Sequence, residues 1–370
     1  MKIGFEAKRV FHNRSGLGNF SRNLIRSLAT YLPENQYLLF NPNRGAISFG
    51  RNLPGVKEVR PALSLPILRD LWRQRGMSKT AAKRQIDLFH GLSMELPANL
   101  RKHGIPSVVS VHDLIFMRYP HLYKAIDRKI YSAKLKHAID QASIIVATSE
   151  QTQRDLLEFM KVSPERVRVQ YQGVSPEYWQ RYTADELKKT AEKHRLPAKY
   201  GLFVGTLEER KGMRRLLEAQ LQTGLDMVYV GRPTAYWEGC LSNQRFEKLK
   251  DRIYTPKIND TRELSQIYQG AEFLVYPSLF EGFGIPVLEA QVSQIPVITS
   301  NTSSLPEVAG PGAILIDPES TSQLTGAMSE LWQSESVRKN AVENNLNFIE
   351  NFRDEKLVAG WDKIYRSLLA

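Results

Sequence analysis

The 370-residue chain reads as an α/β protein of two doubly wound, Rossmann-like domains. Three observations predict this. The length is too great for one ordinary core. Short apolar runs rich in Val, Ile, Leu and Phe alternate with longer helical patterns, as parallel strands covered on both faces require. The alternation also occurs twice, before and after a charged stretch near residues 174–198.

In the first half the strand-like runs are KIGF (2–5), YLLF (37–40), DLFHG (87–91), SVVSVHD (107–113), SIIVATS (143–149) and VRVQY (167–171). In the second they are YGLFVG (200–205), DMVYVG (226–231), EFLVYP (272–277), IPVITS (295–300) and AILID (313–317). Between the halves, QGVSPEYWQRY gives way to the helical stretch ADELKKTAEKHRLP. The expected division is a first domain over 1–174, a linker over 175–198, a second domain over 199–351 and a helix over 352–370. That last helix is amphipathic, with Leu357, Trp361, Ile364, Tyr365 and Leu368 on one face, and is a candidate to cross back to the first domain.

Composition narrows the class. Hydrophobic residues make up 42% and charged residues 24%, the balance of a soluble globular protein. A lone cysteine, Cys240, forms no internal disulfide, so a reducing cytoplasm suits the fold. No apolar run reaches bilayer length, and the N-terminal MKIGFEAKRVF reads as a first strand rather than a signal peptide. Residues 1–185 hold 29 Lys and Arg against 15 Asp and Glu, whereas 186–370 hold 22 against 24. All the excess of a net +12 therefore lies in the first half, which points to an anionic partner for one domain.

Ligands of open α/β sheets bind at the carboxyl ends of the strands. The stretch FEGFGIPVLEA, residues 280–290, follows such an end and sets Glu281 and Glu289 eight positions apart. Pro286 suits the first position of the next helix, because its ring presets φ and it has no N–H to leave unpaired. Glu289 is then expected in the first turn, where the helix dipole favours negative charge. Gly282 and Gly284 let a ligand approach the backbone, and the amides around Phe283 and Ile285 can donate to it. Ionised carboxylates accept from vicinal hydroxyls. Amides with a carboxylate at each end suit a sugar, a phosphate and a second sugar, the order within a nucleotide sugar. A solvated strand-to-helix turn fits the same spacing.

Three further stretches bear on this. VGTLEERKG (204–212) places Arg210 and Lys211 at the start of a helix, where two cations could neutralise a diphosphate; an exposed basic turn is the alternative. SGLGNFSRNL (15–24) is a glycine-rich turn opening a helix, without the full G-x-G-x-x-G pattern. VHDLIF (111–116) ends a strand with His112 and Asp113; a histidine there could donate to a sugar hydroxyl or shuttle a proton, or be a buried, hydrogen-bonded side chain.

In this order along nearly the whole chain, the E-x7-E of EGFGIPVLEA, the VGTLEERKG turn, the HDL, the GLGNF turn and SNTSSLPEVAG (300–310) resemble the family-4 retaining glycosyltransferases of the GT-B fold, bacterial mannosyltransferases among them. The resemblance implies two Rossmann-like domains facing a central cleft. It implies that Glu281 holds hydroxyls of the transferred sugar and Glu289 the nucleotide ribose diol, with the amides of Phe283, Gly284 and Ile285, beside Gly282, at the sugar and phosphates. Arg210 and Lys211 would hold the diphosphate, Gly16 would face it from the first domain, and His112 would lie by the donor sugar and acceptor. Some relatives carry an arginine directly after the VG turn; this chain has Thr206 there, which shifts the weight to Arg210 and Lys211.

The expected reaction moves a hexose, mannose from GDP-mannose in the first instance and a UDP-hexose in the second, to a hydroxyl of a glycan or glycolipid during surface polysaccharide synthesis. The chain has no D-x-D triplet, so neither a metal nor any other cofactor is expected, and side-chain cations would do the electrostatic work. Segments 66–84, with Ile67, Leu68, Leu71 and Trp72, and 118–136 are basic and amphipathic, which suits peripheral docking to an anionic membrane. Solvated helices with apolar residues turned to the core are the alternative. A nucleotide-dependent oxidoreductase is disfavoured by the absence of a good G-x-G-x-x-G, and a nucleic-acid binder would leave the two glutamates unexplained. A non-catalytic nucleotide-sugar sensor remains the reading from another class.

Overall fold

The computed structural model describes residues 1–14, 16–61 and 72–369. The chain divides into two compact units, Met1–Gly173 with Phe352–Ala370, and Val174–Asn351. Among the described residues the first unit holds a seven-stranded parallel sheet of β1 (Lys2–Glu6), β2 (Gln36–Phe40), β3 (Val56–Val59), β4 (Leu88–Gly91), β5 (Ser107–Val111), β6 (Ile144–Ala147) and β7 (Val167–Val169), ordered 3-2-1-4-5-6-7. The second holds a six-stranded parallel sheet of β8 (Gly201–Val204), β9 (Met227–Val230), β10 (Ile253–Tyr254), β11 (Phe273–Tyr276), β12 (Val297–Ser300) and β13 (Ile314–Ile316), ordered 10-9-8-11-12-13. In each, strand order reverses beside the unit's first strand, between β1 and β4 and between β8 and β11. Those are the points where doubly wound sheets receive ligands.

Continuous apolar strands arise because both faces are covered. On β2, Tyr37 and Leu39 join one core cluster while Leu38 and Phe40 join the other; on β6, Ile144 and Val146 part from Ile145 and Ala147 in the same way. The two strands that the sequence pattern does not reveal, β3 and β10, are both sheet edges. β3 is VKEV with Lys57 and Glu58 exposed, and β10 has two residues, both half-buried. Neither carries the apolar run that marks a central strand.

The stretch 175–198, expected as a linker, instead carries helices Pro176–Trp179 and Ala184–His194 and packs within the second unit. Thr183 and Glu186 form a reciprocal cap on the longer helix. Thr190 donates to Gln266 at 2.6 Å and Arg181 to the Val292 carbonyl at 2.9 Å, so both ends are tied to the unit.

The C-terminal helix Asp354–Arg366 belongs to the first unit and packs on helix Gly16–Tyr31. Val358, Trp361, Ile364 and Tyr365 enter the same core as β1. His90, wholly buried on β4, ties it down: its Nδ1 meets the Tyr365 hydroxyl at 2.9 Å and its Nε2 the Ser110 hydroxyl at 2.8 Å. Burial, then the neighbouring His112, pulls the His90 pKa down to about 3, so the ring is neutral. Trp361, 2% exposed, lies over this histidine at 4.9 Å between ring centroids. Trp361→Ala is expected to destabilise the first unit by about 3–5 kcal/mol. Calorimetry should show that unit's transition moving down while the other stays; an unmoved transition would mean that the docked helix contributes no stability.

Candidate functional site

In the second unit the loop after β8 and the loop after β11 meet across the strand-order reversal. Arg210 and Lys211 lie in a 3-10 turn, Glu209–Lys211, just before helix Met213–Thr223 rather than inside it. Gly212 makes the bend between them at φ +71°, and a Cβ there would sit 2.4 Å from the Pro277 carbonyl oxygen, so only glycine serves. This close approach brings both cations onto the β11 loop.

There one oxygen, Glu281 Oε1, accepts from Arg210 Nη1 at 2.9 Å, Lys211 Nζ at 2.5 Å and Ser278 Oγ at 2.5 Å. Lys211 also donates to the Tyr276 hydroxyl, and Arg210 to the Phe280 carbonyl and to Glu208 Oε1 at 2.8 Å. Glu281 and Lys211 are buried. Burial alone would raise the Glu281 pKa, but Arg210 and then Lys211 outweigh it and bring it to about 2. Burial pulls Lys211 downward against the opposing pull of Glu281. Arg210, Lys211 and Glu281 together carry a net +1, and Glu208 offsets that further.

Segment 300–310 shapes the glycine-rich loop. Ser303 Oγ accepts from the Glu281 amide at 3.1 Å, and Ser304 Oγ donates to the carbonyls of Glu281 at 2.9 Å and Phe283 at 2.8 Å. Phe283 is buried, and Gly284, at φ +117°, caps helix Ile285–Val292. Because that helix starts at Ile285, Pro286 is its second residue and Glu289 its fifth. The expectation that Glu289 sits in the first turn is therefore corrected: no acidic residue lies there. The carboxyl is held instead by phenols, with Tyr268 donating to Oε2 at 2.8 Å and Tyr178 bonding as well. With no cation among these partners, burial prevails and raises the Glu289 pKa to about 7.

In the first unit, His112 follows β5, buried, with Nε2 2.9 Å from the Leu92 carbonyl oxygen. A carbonyl only accepts, so Nε2 carries the hydrogen and Nδ1 of the neutral ring is an acceptor. Burial, partly countered by the Leu92 bond, puts its pKa at about 4. Of the readings expected from sequence, the buried, hydrogen-bonded side chain is the one observed, and the neutral ring offers Nδ1 as an acceptor. Phe20 packs edge-on against it at 4.7 Å, which brings the helix opened by Gly16 beside it. Gly16 is exposed, with nothing within 4 Å of where a Cβ would stand; Gly18 is the position that demands glycine, since its Cβ would lie 1.9 Å from the Asn13 carbonyl oxygen.

Sequence reading missed a charged cluster at the first unit's strand-order reversal. Glu6, at the end of β1, accepts from Arg73 Nε at 3.0 Å; Arg73 also pairs with Glu95, which meets Lys134 at 3.2 Å, and Arg9 donates to Ser93 at 2.7 Å. Burial raises the Glu6 pKa despite Arg73. The one sequence signal was an acidic residue closing an apolar strand. The second unit also carries an open depression of about 800 Å3, lined by Arg214, Tyr236 and Cys240 among others; Arg210, Lys211, Glu281 and Glu289 do not line it. Among the described residues no three His, Cys, Asp or Glu side chains are grouped as a metal ion needs.

Glu281 has a folded-state pKa below its ordinary 4.5, so its stabilisation is complete above about pH 4.5 and is lost as pH falls toward 2. Glu281→Gln leaves Lys211 buried beside Arg210 without their shared anion, a loss expected to cost about 3–5 kcal/mol at pH 7. Denaturant titration should show Lys211→Met in the same chain restoring part of that loss, and the gap between wild type and Glu281→Gln closing in acid. A gap that does not narrow below pH 3 would refute the ion-pair account.

Two family models match the chain, "Glycosyltransferase Family 4" over residues 15–178 and "Glycosyl transferases group 1" over 185–348. O-antigen chain mannosyltransferase B of Escherichia coli is 27% identical over 395 residues, spanning 100% of both chains. In fold, the chain is similar to sucrose-phosphate synthase of Thermosynechococcus elongatus, with TM-score 0.80, 20% identity and coverage of 100% and 99%. It is similar also to Anabaena HepE, solved in complex with UDP and glucose, with TM-score 0.74, 16% identity and full coverage of both chains.

Proposed function

The chain belongs to the family-4 glycosyltransferases of the GT-B fold, and from that premise we propose that it transfers mannose from GDP-mannose, with retention and without a metal, to a glycan or glycolipid acceptor in surface polysaccharide synthesis. The observation that carries this is the convergence of Arg210, Lys211 and Ser278 on Glu281 Oε1, which fixes two cations beside a carboxylate at a strand-order reversal. Cations so placed suit a diphosphate leaving group, and a carboxylate suits the hydroxyls of the sugar it carries. Mannose is favoured because the full-length relative is named a mannosyltransferase; a UDP-hexose is the second choice, since the HepE structure holds UDP and glucose. Residues around Gly282, Phe283, Gly284 and Ile285 receive the sugar and phosphates and Glu289 the ribose, while Gly16 and His112 belong to the first unit. The acceptor is assigned to the first unit.

The test is a panel of nucleotide sugars in the presence of a chelator. GDP-mannose should be consumed, and Lys211→Ala should lower kcat by about 10²–10³. Activity lost to chelation and regained with magnesium would reject the metal-free reading, and binding without any turnover would favour a nucleotide-sugar sensor.

The membrane surface is the second part of the proposal. Helix Ala125–Gln141 turns Leu135, Ala138 and Ile139 to the core, whereas Ile126 is 62% and Ile130 44% exposed among exposed Lys124, Lys129, Lys134 and Lys136. An apolar pair ringed by lysines fits an anionic bilayer. In the other basic segment Trp72 stacks on Phe40 in the core, and Ile67, Leu68 and Leu71 lie outside the described residues. No described helix is long and apolar enough to cross a membrane. Co-sedimentation with phosphatidylglycerol liposomes should weaken with salt and with Ile126→Ser/Ile130→Ser; binding indifferent to both would remove the docking face.

A further inference from the structure

Glu281 and Glu289 share one motif and opposite surroundings. Among the described residues, the groups acting on the Glu289 carboxyl are two phenols, Tyr268 on helix Thr261–Gln269 and Tyr178 on helix Pro176–Trp179. The two rings meet edge to face at 5.5 Å and are fully buried, while Glu289 itself is half-buried. Glu177 and Tyr182 stand near Tyr178, and Tyr276 near Tyr268. The helix bearing Glu289 also packs on β11, β12 and helices Leu305–Ala309 and Glu335–Ile349, and none of these brings a charged group to bear on its carboxyl.

We propose that Tyr178 and Tyr268 are positioning residues of the donor site: their hydroxyls fix the orientation of the Glu289 carboxyl so that it can receive the vicinal diol of the donor's ribose, and donor binding releases a proton from it. This rests on the donor reading of Glu289 given above. The tyrosines are fixed donors, because burial holds both phenols protonated. A protonated carboxyl presents a competing O–H, whereas the ionised group can accept from both diol hydroxyls and a phenol together. Burial sets this switch near neutrality, since the Glu289 pKa stands at about 7. The balance is simple: Glu289–COOH and a diol give a carboxylate hydrogen-bonded to the diol, and the proton goes to solvent. Each phenol stabilises the ionised form, so removing one moves the titration to higher pH.

The test is calorimetric titration with GDP-mannose, whose diphosphate diester does not itself titrate near pH 7, from pH 5.5 to 9. In wild type the affinity should fall up to tenfold per unit below the break and level off above it, with proton release seen on changing the buffer. Tyr178→Phe and Tyr268→Phe should weaken binding several-fold at pH 7, move the break to higher pH, and recover towards the wild-type affinity at pH 9. Glu289→Gln should bind weakly with no break. Should Glu289→Gln behave so while both tyrosine variants keep the wild-type break, the positioning role is wrong and the donor reading stands. Should Glu289→Gln bind as wild type does, the donor reading of Glu289 itself has failed.

Discussion

One oxygen organises the second unit. Glu281 Oε1 receives two cations and a hydroxyl, and in doing so joins the loop after β8 to the loop after β11. Neither half of that contact is stable alone. A buried lysine without an anion loses its proton or its place, and a buried carboxylate without a cation does the same. The pair is therefore a condition of the loop geometry rather than an addition to it. Gly212 and the serines at 303 and 304 then follow as what lets the backbone come close enough and keeps it there.

The same logic separates the two glutamates. Eight residues apart, they are pushed in opposite directions, Glu281 down to about 2 and Glu289 up to about 7, because one is met by cations and the other by phenols. A phenol helps an anion far less than an ammonium or guanidinium does, so desolvation wins at Glu289 and loses at Glu281. Groups pushed apart in this way commonly carry different tasks. Here one is charged at neutral pH, and the other stands close to its titration there.

Much of the fold was legible because a central parallel strand must be apolar on both faces, as β2 and β6 are. β3 and β10 were not, since an edge strand needs no such run. The motif residues could be found, but their partners could not: Tyr178 is 111 positions from Glu289, and Arg73 is 67 from Glu6. Glu289 falls one residue beyond the expected first turn because the helix start is set by Gly284 in its left-handed conformation, so Pro286 comes second. His112 was found, but its usable nitrogen depends on the Leu92 carbonyl, which only the fold supplies. Long-range pairing, not local pattern, decides each of these points.

The state of Glu281 also bears on the proposed chemistry. A carboxylate with a pKa of about 2, and with three donors on one oxygen, is a weak base and a weak nucleophile. With Glu281 in place the triad presents a net +1, and the diphosphate must share Arg210 and Lys211 with it. In the proposed reaction the acceptor's proton passes to the leaving phosphate oxygen itself. That oxygen is on the face from which the diphosphate departs, so a proton passed to it places the acceptor on that same face, which is how the proposed reaction would retain configuration without a covalent intermediate.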